Sequence, residues 1–164
     1  MAKFFLGIVI VAFTSFCGYI FAGKYRQRKL FFMQWKEFNE RFLNEIAYYR
    51  RPIVAFSSQY TYKGEFGKLI ETFFQMLEEK NKNFDSILEK NEYSFLKKEE
   101  KKMVEDYFMM LGKGDSSSQK AYFSSLKDGL GKMQENTMNT YKKYGDLYVK
   151  LGFLCGLLIL LLIL

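Results

Sequence analysis

FFLGIVIVAFTSFCGYIFA, residues 4–22, runs for 19 positions without a charged side chain. At ~1.5 Å per residue, a helix over this stretch is about 28 Å long, close to the ~30 Å hydrocarbon core of a bilayer. A secretory leader would have an apolar core of roughly 7–15 residues and a small-x-small cleavage site. Here Ile20-Phe21-Ala22 places bulk where a small residue is needed. A lipoprotein leader needs a small residue before its cysteine, and Phe16 precedes Cys17. The stretch reads as a retained membrane anchor.

Outward from it, every charged side chain except Lys3 lies within residues 24–150, and a second uncharged run, LGFLCGLLILLLIL, fills residues 151–164. Its 14 residues give roughly 21 Å of helix, short for a span. Adding Tyr148 and Val149, with the Lys150 side chain reaching back to the interface, extends it to about 25 Å. Eleven of the 14 are Leu, Ile or Phe, each favouring insertion by about 0.3–0.6 kcal/mol. The alternative, a core helix, needs a larger apolar partner surface than a 164-residue chain easily supplies. The expected organisation is a transmembrane helix over residues 1–23, a helical-bundle domain over 24–150 and a second transmembrane helix over 151–164. The fold class is all-α.

Basic residues set the orientation. Lys24, Arg26, Arg28 and Lys29 follow the first run, and Lys142, Lys143 and Lys150 precede the second. An excess of Lys and Arg marks the cytoplasmic side, so residues 24–150 are expected to be cytoplasmic. Trp35, Tyr25, Tyr144 and Tyr148 lie near the expected interfaces.

The middle of the chain reads as helices. Phe31, Trp35, Phe38, Phe42, Ile46 and Tyr49 recur at three and four, one face of a helix that Arg51-Pro52 closes. After an apolar segment over 53–60 and a loop at Gly64, Phe66, Leu69, Ile70, Phe73, Phe74 and Leu77 give the clearest stripe. A short helix is expected over 84–90. Leu96, Met103, Val104, Tyr107, Phe108 and Leu111 define another, stopped by Gly112 and Gly114. Ser116-x-x-Gln119 fits a capping box, with Asp115 as the other candidate cap. From there Tyr122, Leu126, Leu130, Met133, Thr137, Tyr141, Tyr144 and Tyr148 carry a three-four pattern into the second span with little or no break.

The chemistry is bounded by what is missing. The chain has no histidine, which removes the commonest general base and metal ligand. Cys17 and Cys155 both lie in apolar runs and read as small fillers rather than a disulfide or metal pair. The segment Gly112-Lys113-Gly114-Asp115-Ser116 lacks the Gly-Lys-Ser/Thr ending of a phosphate loop and no strand precedes it. Ser124 and Lys127 are accounted for as exposed helix residues. No enzyme activity, cofactor or metal is expected. The net charge of +7 raises the question of nucleic acid. However, the basic run at 24–29 lies directly beneath a span, where anionic lipid contributes about 1 kcal/mol per basic residue. Membrane lipid, not nucleic acid, is the expected partner. Lys97, Lys98, Lys101 and Lys102 alternate with Glu99, Glu100 and Glu105 as a solvated helix face.

Four features occur in the order found in the stage III sporulation protein AB family of endospore-forming bacteria, which the chain resembles over almost its whole length. They are the Leu6-Gly7 opening of the first span, Glu45-Ile46-x-Tyr48 followed by Pro52, Leu111-Gly112-x-x-Asp115-x-x-x-Gln119, and Leu151-Gly152-Phe153-Leu154-x-Gly156-Leu157-Leu158. Residues 53–100 match only in helical character, and Cys155 stands where a small residue such as serine is expected. The resemblance implies a non-enzymatic scaffold of the channel complex between mother cell and forespore, in the mother-cell membrane around the forespore. It implies a middle domain similar to the cytoplasmic helical domain of type II secretion platform proteins. It also implies stage III sporulation protein AA, an ATPase, and other channel-complex proteins as partners. Platform proteins carry two such domains and this chain has one, so self-association is a further expectation. The other functional class is a two-span membrane-tethered sensor, whose bundle would face outward.

The motif residues also have packing readings. Leu111, Gly112, Asp115 and Gln119 fit a helix stop and cap, and Glu45 is placed to pair with Arg50 or Arg51. Gly152 and Gly156, four apart, would admit a close helix partner in lipid, either the first span of the same chain or a second copy.

Overall fold

The apolar stripe that begins at Phe31 is the C-terminal half of one long helix, α1 (Ala2–Tyr48), in the computed structural model of the chain. Between Lys24 and Tyr48 there is no glycine or proline, and Lys, Arg, Gln, Glu and Leu recur throughout, so nothing in the backbone chemistry stops the first helix. The structure describes residues 2–48, 60–79, 85–111 and 115–163. The remaining elements are α2 (Gly64–Glu78), α3 (Asp85–Leu88), a 3₁₀ turn (Asn91–Tyr93), α4 (Lys98–Met110) and α5 (Ser116–Thr140). A π-helical turn (Tyr141–Gly145) and α6 (Asp146–Ile163) complete the order. Among the described residues there is no strand, so the fold is all-α.

Contacts divide the chain into two compact units, residues 30–135 and the pair formed by residues 1–29 with 136–164.

The first unit is a bundle with an aromatic core. Phe31, Phe32, Trp35, Phe38 and Phe42 of α1 are buried with Phe66, Leu69, Ile70, Phe73 and Phe74 of α2, Val104, Tyr107 and Phe108 of α4, and Phe123 and Leu130 of α5. The rings meet mostly edge to face. Phe42 lies 5.0 Å from Phe123, Tyr107 5.0 Å from Phe123, and Trp35 5.3 Å from Tyr107. Pairs of this geometry contribute roughly 0.5–1.5 kcal/mol beyond the area they bury.

One buried polar group threads this core. Asn39, 1% exposed, donates through Nδ2 to the Phe123 carbonyl at 3.1 Å and accepts at Oδ1 from the Tyr107 hydroxyl at 3.1 Å. A single side chain thus fastens α1, α4 and α5 with its polar atoms satisfied, which buried amides require.

The turn into α2 is also held from α1. Gln34 Oε1 accepts the Lys63 backbone N–H at 2.9 Å. Gly64 takes φ +66°, a left-handed conformation that favours glycine.

The α2 stripe is buried from Phe66 to Phe74, but Leu77 is 43% exposed; it belongs to the last turn of a helix that ends at Glu78. Leu96 is buried although it precedes α4, while Leu111 is buried at the α4 C-terminus. The expected short helix over 84–90 is the single turn α3, followed by the 3₁₀ turn. On α5 the sequence stripe ran through Tyr122, yet Phe123 is the fully buried neighbour and Tyr122 packs partly against the core. Trp35 is not interfacial: at 0% exposure it lies within the bundle core. Tyr49 and the apolar segment over 53–59 lie outside the described residues.

Candidate functional site

The second unit pairs the N-terminal part of α1 with the π turn and α6. Its seam is made of small residues. A Cβ added at Gly152 would lie 2.6 Å from the Thr14 carbonyl oxygen and 3.1 Å from Gly18 Cα. One added at Gly156 would lie 2.8 Å from Val11 Cα and collide with Thr14 Oγ1. One added at Gly18 would lie 2.5 Å from the Tyr148 carbonyl oxygen and 3.3 Å from Gly152 Cα. Gly7 lies against the Leu160 side chain. These pairings run in opposite order along the two helices, so the pair is antiparallel. The backbones approach closely because the side chains between them are absent.

Polar atoms in the seam are satisfied locally. The Thr14 hydroxyl lies 3.1 Å from both the Ile10 and Val11 carbonyls, and Ser15 donates to the Val11 carbonyl at 2.7 Å. This back-bonding to the preceding turn is how hydroxyls are carried in apolar surroundings. The outer faces are greasy: Phe5, Phe13, Phe16, Phe21, Leu158 and Leu161 are each at least 60% exposed. Only 17% and 11% of the most apolar windows of the two helices are buried inside the protein. A core helix of a soluble domain would be covered by protein. These two helices are long and apolar enough to cross a membrane.

Where the apolar runs end, aromatic rings and cations take over. Tyr25 stacks at 5.9 Å on both Tyr144 and Tyr148. Lys29 Nζ lies 4.1 Å from the centre of the Tyr141 ring, and the Arg26 guanidinium 4.3 Å from that of Tyr19. Attraction between a cation and a ring face holds such side chains at a defined level. The helix passes into the second run through the π turn, where Gly145 is buried against the Tyr141 ring.

The remaining motif residues sit in or beside the bundle. Glu45 is 6% exposed on α1. Ile46 and Tyr48 belong to α1; Arg50, Arg51, Pro52 and Gly112 lie outside the described residues. Leu111 closes α4 and Gln119 is half-buried in the first turns of α5. The α5 cap is Asp115 rather than a Ser116 box. Its Oδ1 accepts the Ser118 backbone N–H at 3.4 Å and its other oxygen accepts from the Ser117 hydroxyl. Those bonds, the Ser117 one foremost, pull the Asp115 carboxyl down to about 2. A true half box occurs instead at α4, where Glu100 accepts the Lys97 N–H at 2.8 Å.

Cys17 is half-buried and Cys155 exposed on the helix pair, both as free thiols. Ser124 and Lys127 are exposed on α5. No group of acids and cysteines able to hold a metal occurs among the described residues. Reading the residues alone found Gly152 and Gly156 but not their counterparts Gly7, Val11, Thr14 and Gly18. The signal was present, since these small or slender residues recur at four, three and four. The family model for stage III sporulation protein AB matches residues 3–164, essentially the whole chain. No curated protein and no solved structure gives a match.

Proposed function

Because the chain belongs to the stage III sporulation protein AB family, we propose that it is a non-enzymatic membrane scaffold of the mother cell–forespore channel complex. Its two apolar helices anchor it in the mother-cell membrane around the forespore, and its bundle faces the cytoplasm. There the bundle engages the stage III sporulation protein AA ATPase and couples it to the channel, in the manner of a type II secretion platform protein.

The observation that carries this reading is the family match over both apolar helices and the bundle together. A helical bundle with an aromatic core and a glycine-seamed helix pair suit a scaffold.

The test is purification of the tagged full-length chain from sporulating cells. The ATPase should accompany it through mild-detergent extraction, and loss of the chain should block spore formation. Recovery of the chain without the ATPase, from cells in which the ATPase is present and the complex is cross-linked, would overturn the coupling role.

A further inference from the structure

The charge of this protein is segregated. Residues 1–29 and 136–164 contain Lys3, Lys24, Arg26, Arg28, Lys29, Lys142, Lys143 and Lys150 against the single acid Asp146, eight minus one. That difference equals the whole net charge of +7. The other 17 basic residues (25 minus 8) and 17 acidic residues (18 minus 1) cancel within residues 30–135. The excess is also concentrated within the helix pair. Apart from Lys3, it falls in residues 24–29 and 142–150, and the contacts of Tyr25 with Tyr144 and of Lys29 with Tyr141 bring those two stretches to one level. Lys24, Arg26, Lys142, Lys143 and Lys150 are exposed there, and Asp146 is the one acid beside them.

We infer that this belt is a binding surface for the headgroups of anionic phospholipids. The inference rests on the helix pair being inserted in a bilayer. The belt begins where the apolar surface ends, so a lipid whose tails lie along the exposed Phe21 and Leu151 would carry its phosphate to the level of the lysines. A neutral headgroup gains little from seven cations. An anionic one is attracted to the belt, worth about fivefold in affinity per basic residue. The aromatic rings beneath Lys29 and Arg26 pre-position two of the cations, which reduces the ordering cost on binding.

The experiment uses the full-length chain in a neutral detergent, titrated with phosphatidylglycerol and with phosphatidylcholine, the retained lipid being counted by native mass spectrometry. Phosphatidylglycerol should be retained preferentially. K142Q/K143Q should weaken that retention by about 25-fold, whereas K97Q/K98Q, which removes the same charge from the bundle, should not. Equal retention of the two lipids by the parent chain overturns the inference even if the variant fails to fold, as does an equal loss in K97Q/K98Q. Displacement of the lipid by inorganic phosphate at matched concentration would make this a free-anion site and overturn it as well. Alkaline carbonate extraction of native membranes separates the two readings: release of the chain removes the membrane insertion itself, while retention with no lipid preference removes only the belt.

Discussion

Glycine is needed at 152 and 156 because a backbone, not a side chain, occupies the space where a Cβ would go. Gly152→Leu should lower the stability of the full-length chain in detergent by about 1–3 kcal/mol, the usual result of overpacking. Gly18→Leu on the facing helix should do the same. Since Gly18 and Gly152 face each other within one chain, G18A and G152A together should be non-additive in a melting experiment. Strict additivity would move the interface to a second copy. Lys98→Ala, on the solvated face of α4, should be nearly silent in the same assay. Asn39 offers a second residue-scale test. Asn39→Ala removes the acceptor of the Tyr107 hydroxyl and the extra donor to the Phe123 carbonyl, which keeps its bond within α5, at roughly 1–3 kcal/mol for a buried group deprived of its partner, to be read from the thermal midpoint. Burial governs the tyrosines as well. It pushes Tyr62 up to about 12, with Arg41 partly opposing, and raises Tyr93 and Tyr107 in the same direction. Below pH 10, the ordinary tyrosine value, these groups are neutral in both states. As pH rises through about 10 to 12 the unfolded chain ionises first, so stability is lost over that window. An alkaline titration should therefore show tyrosinate absorbance rising together with loss of helical circular dichroism, and Tyr62→Phe should lessen the steepness of that loss.

At the scale of elements, the π turn explains how one helix serves two tasks. Inward positions in the last part of the chain step from buried Thr137 to buried Gly145, eight residues, and then to half-buried Gly152 and buried Gly156 at seven and four. An unbroken α-helix repeats a face about every seven residues, so the π turn absorbs one extra. Deleting Lys142, an exposed residue within it, should let the turn close to regular α-helix and keep Gly152 and Gly156 on the seam. Deleting Val149, beyond the turn, has no bulge to absorb it and rotates the seam by about 100°. The expected result is near-parental melting for the first deletion and a clear loss for the second; equal tolerance of both would mean the seam carries no energy. Asp115 works at the same scale. Its carboxylate accepts the Ser118 N–H in the first turn of α5, and Asn in its place should largely preserve the cap while Ala should fray the helix start.

At the scale of the whole molecule, charge and apolar surface are sorted between the two units. Residues 30–135 carry no net charge, whereas the helix pair concentrates the cations at one level. Under the proposed topology, a cysteine placed at Lys63, with Cys17 and Cys155 replaced by alanine, should resist a membrane-impermeant thiol reagent in intact cells and react once they are opened. Labelling in intact cells would place the bundle outside and favour the sensor reading.

The sequence by itself determined the all-helical class, the two apolar helices and most of the core. These are local properties: a run without charge needs no knowledge of the rest of the chain, and a stripe such as Phe66 to Phe74 is written at the helical period. It also carried the family motifs. It marked Gly152 and Gly156 as a contact face but left the partner open, because periodicity shows which side is covered and not by what. Only the tertiary structure supplied that partner, along with the Asn39–Tyr107–Phe123 fastening across 68 and 84 positions. It likewise decided the burial of Trp35 within the bundle and the extra residue absorbed at the π turn. Each of these depends on which helices come together, and packing between distant segments is chosen by the fit of whole surfaces rather than by the spacing of residues within one of them.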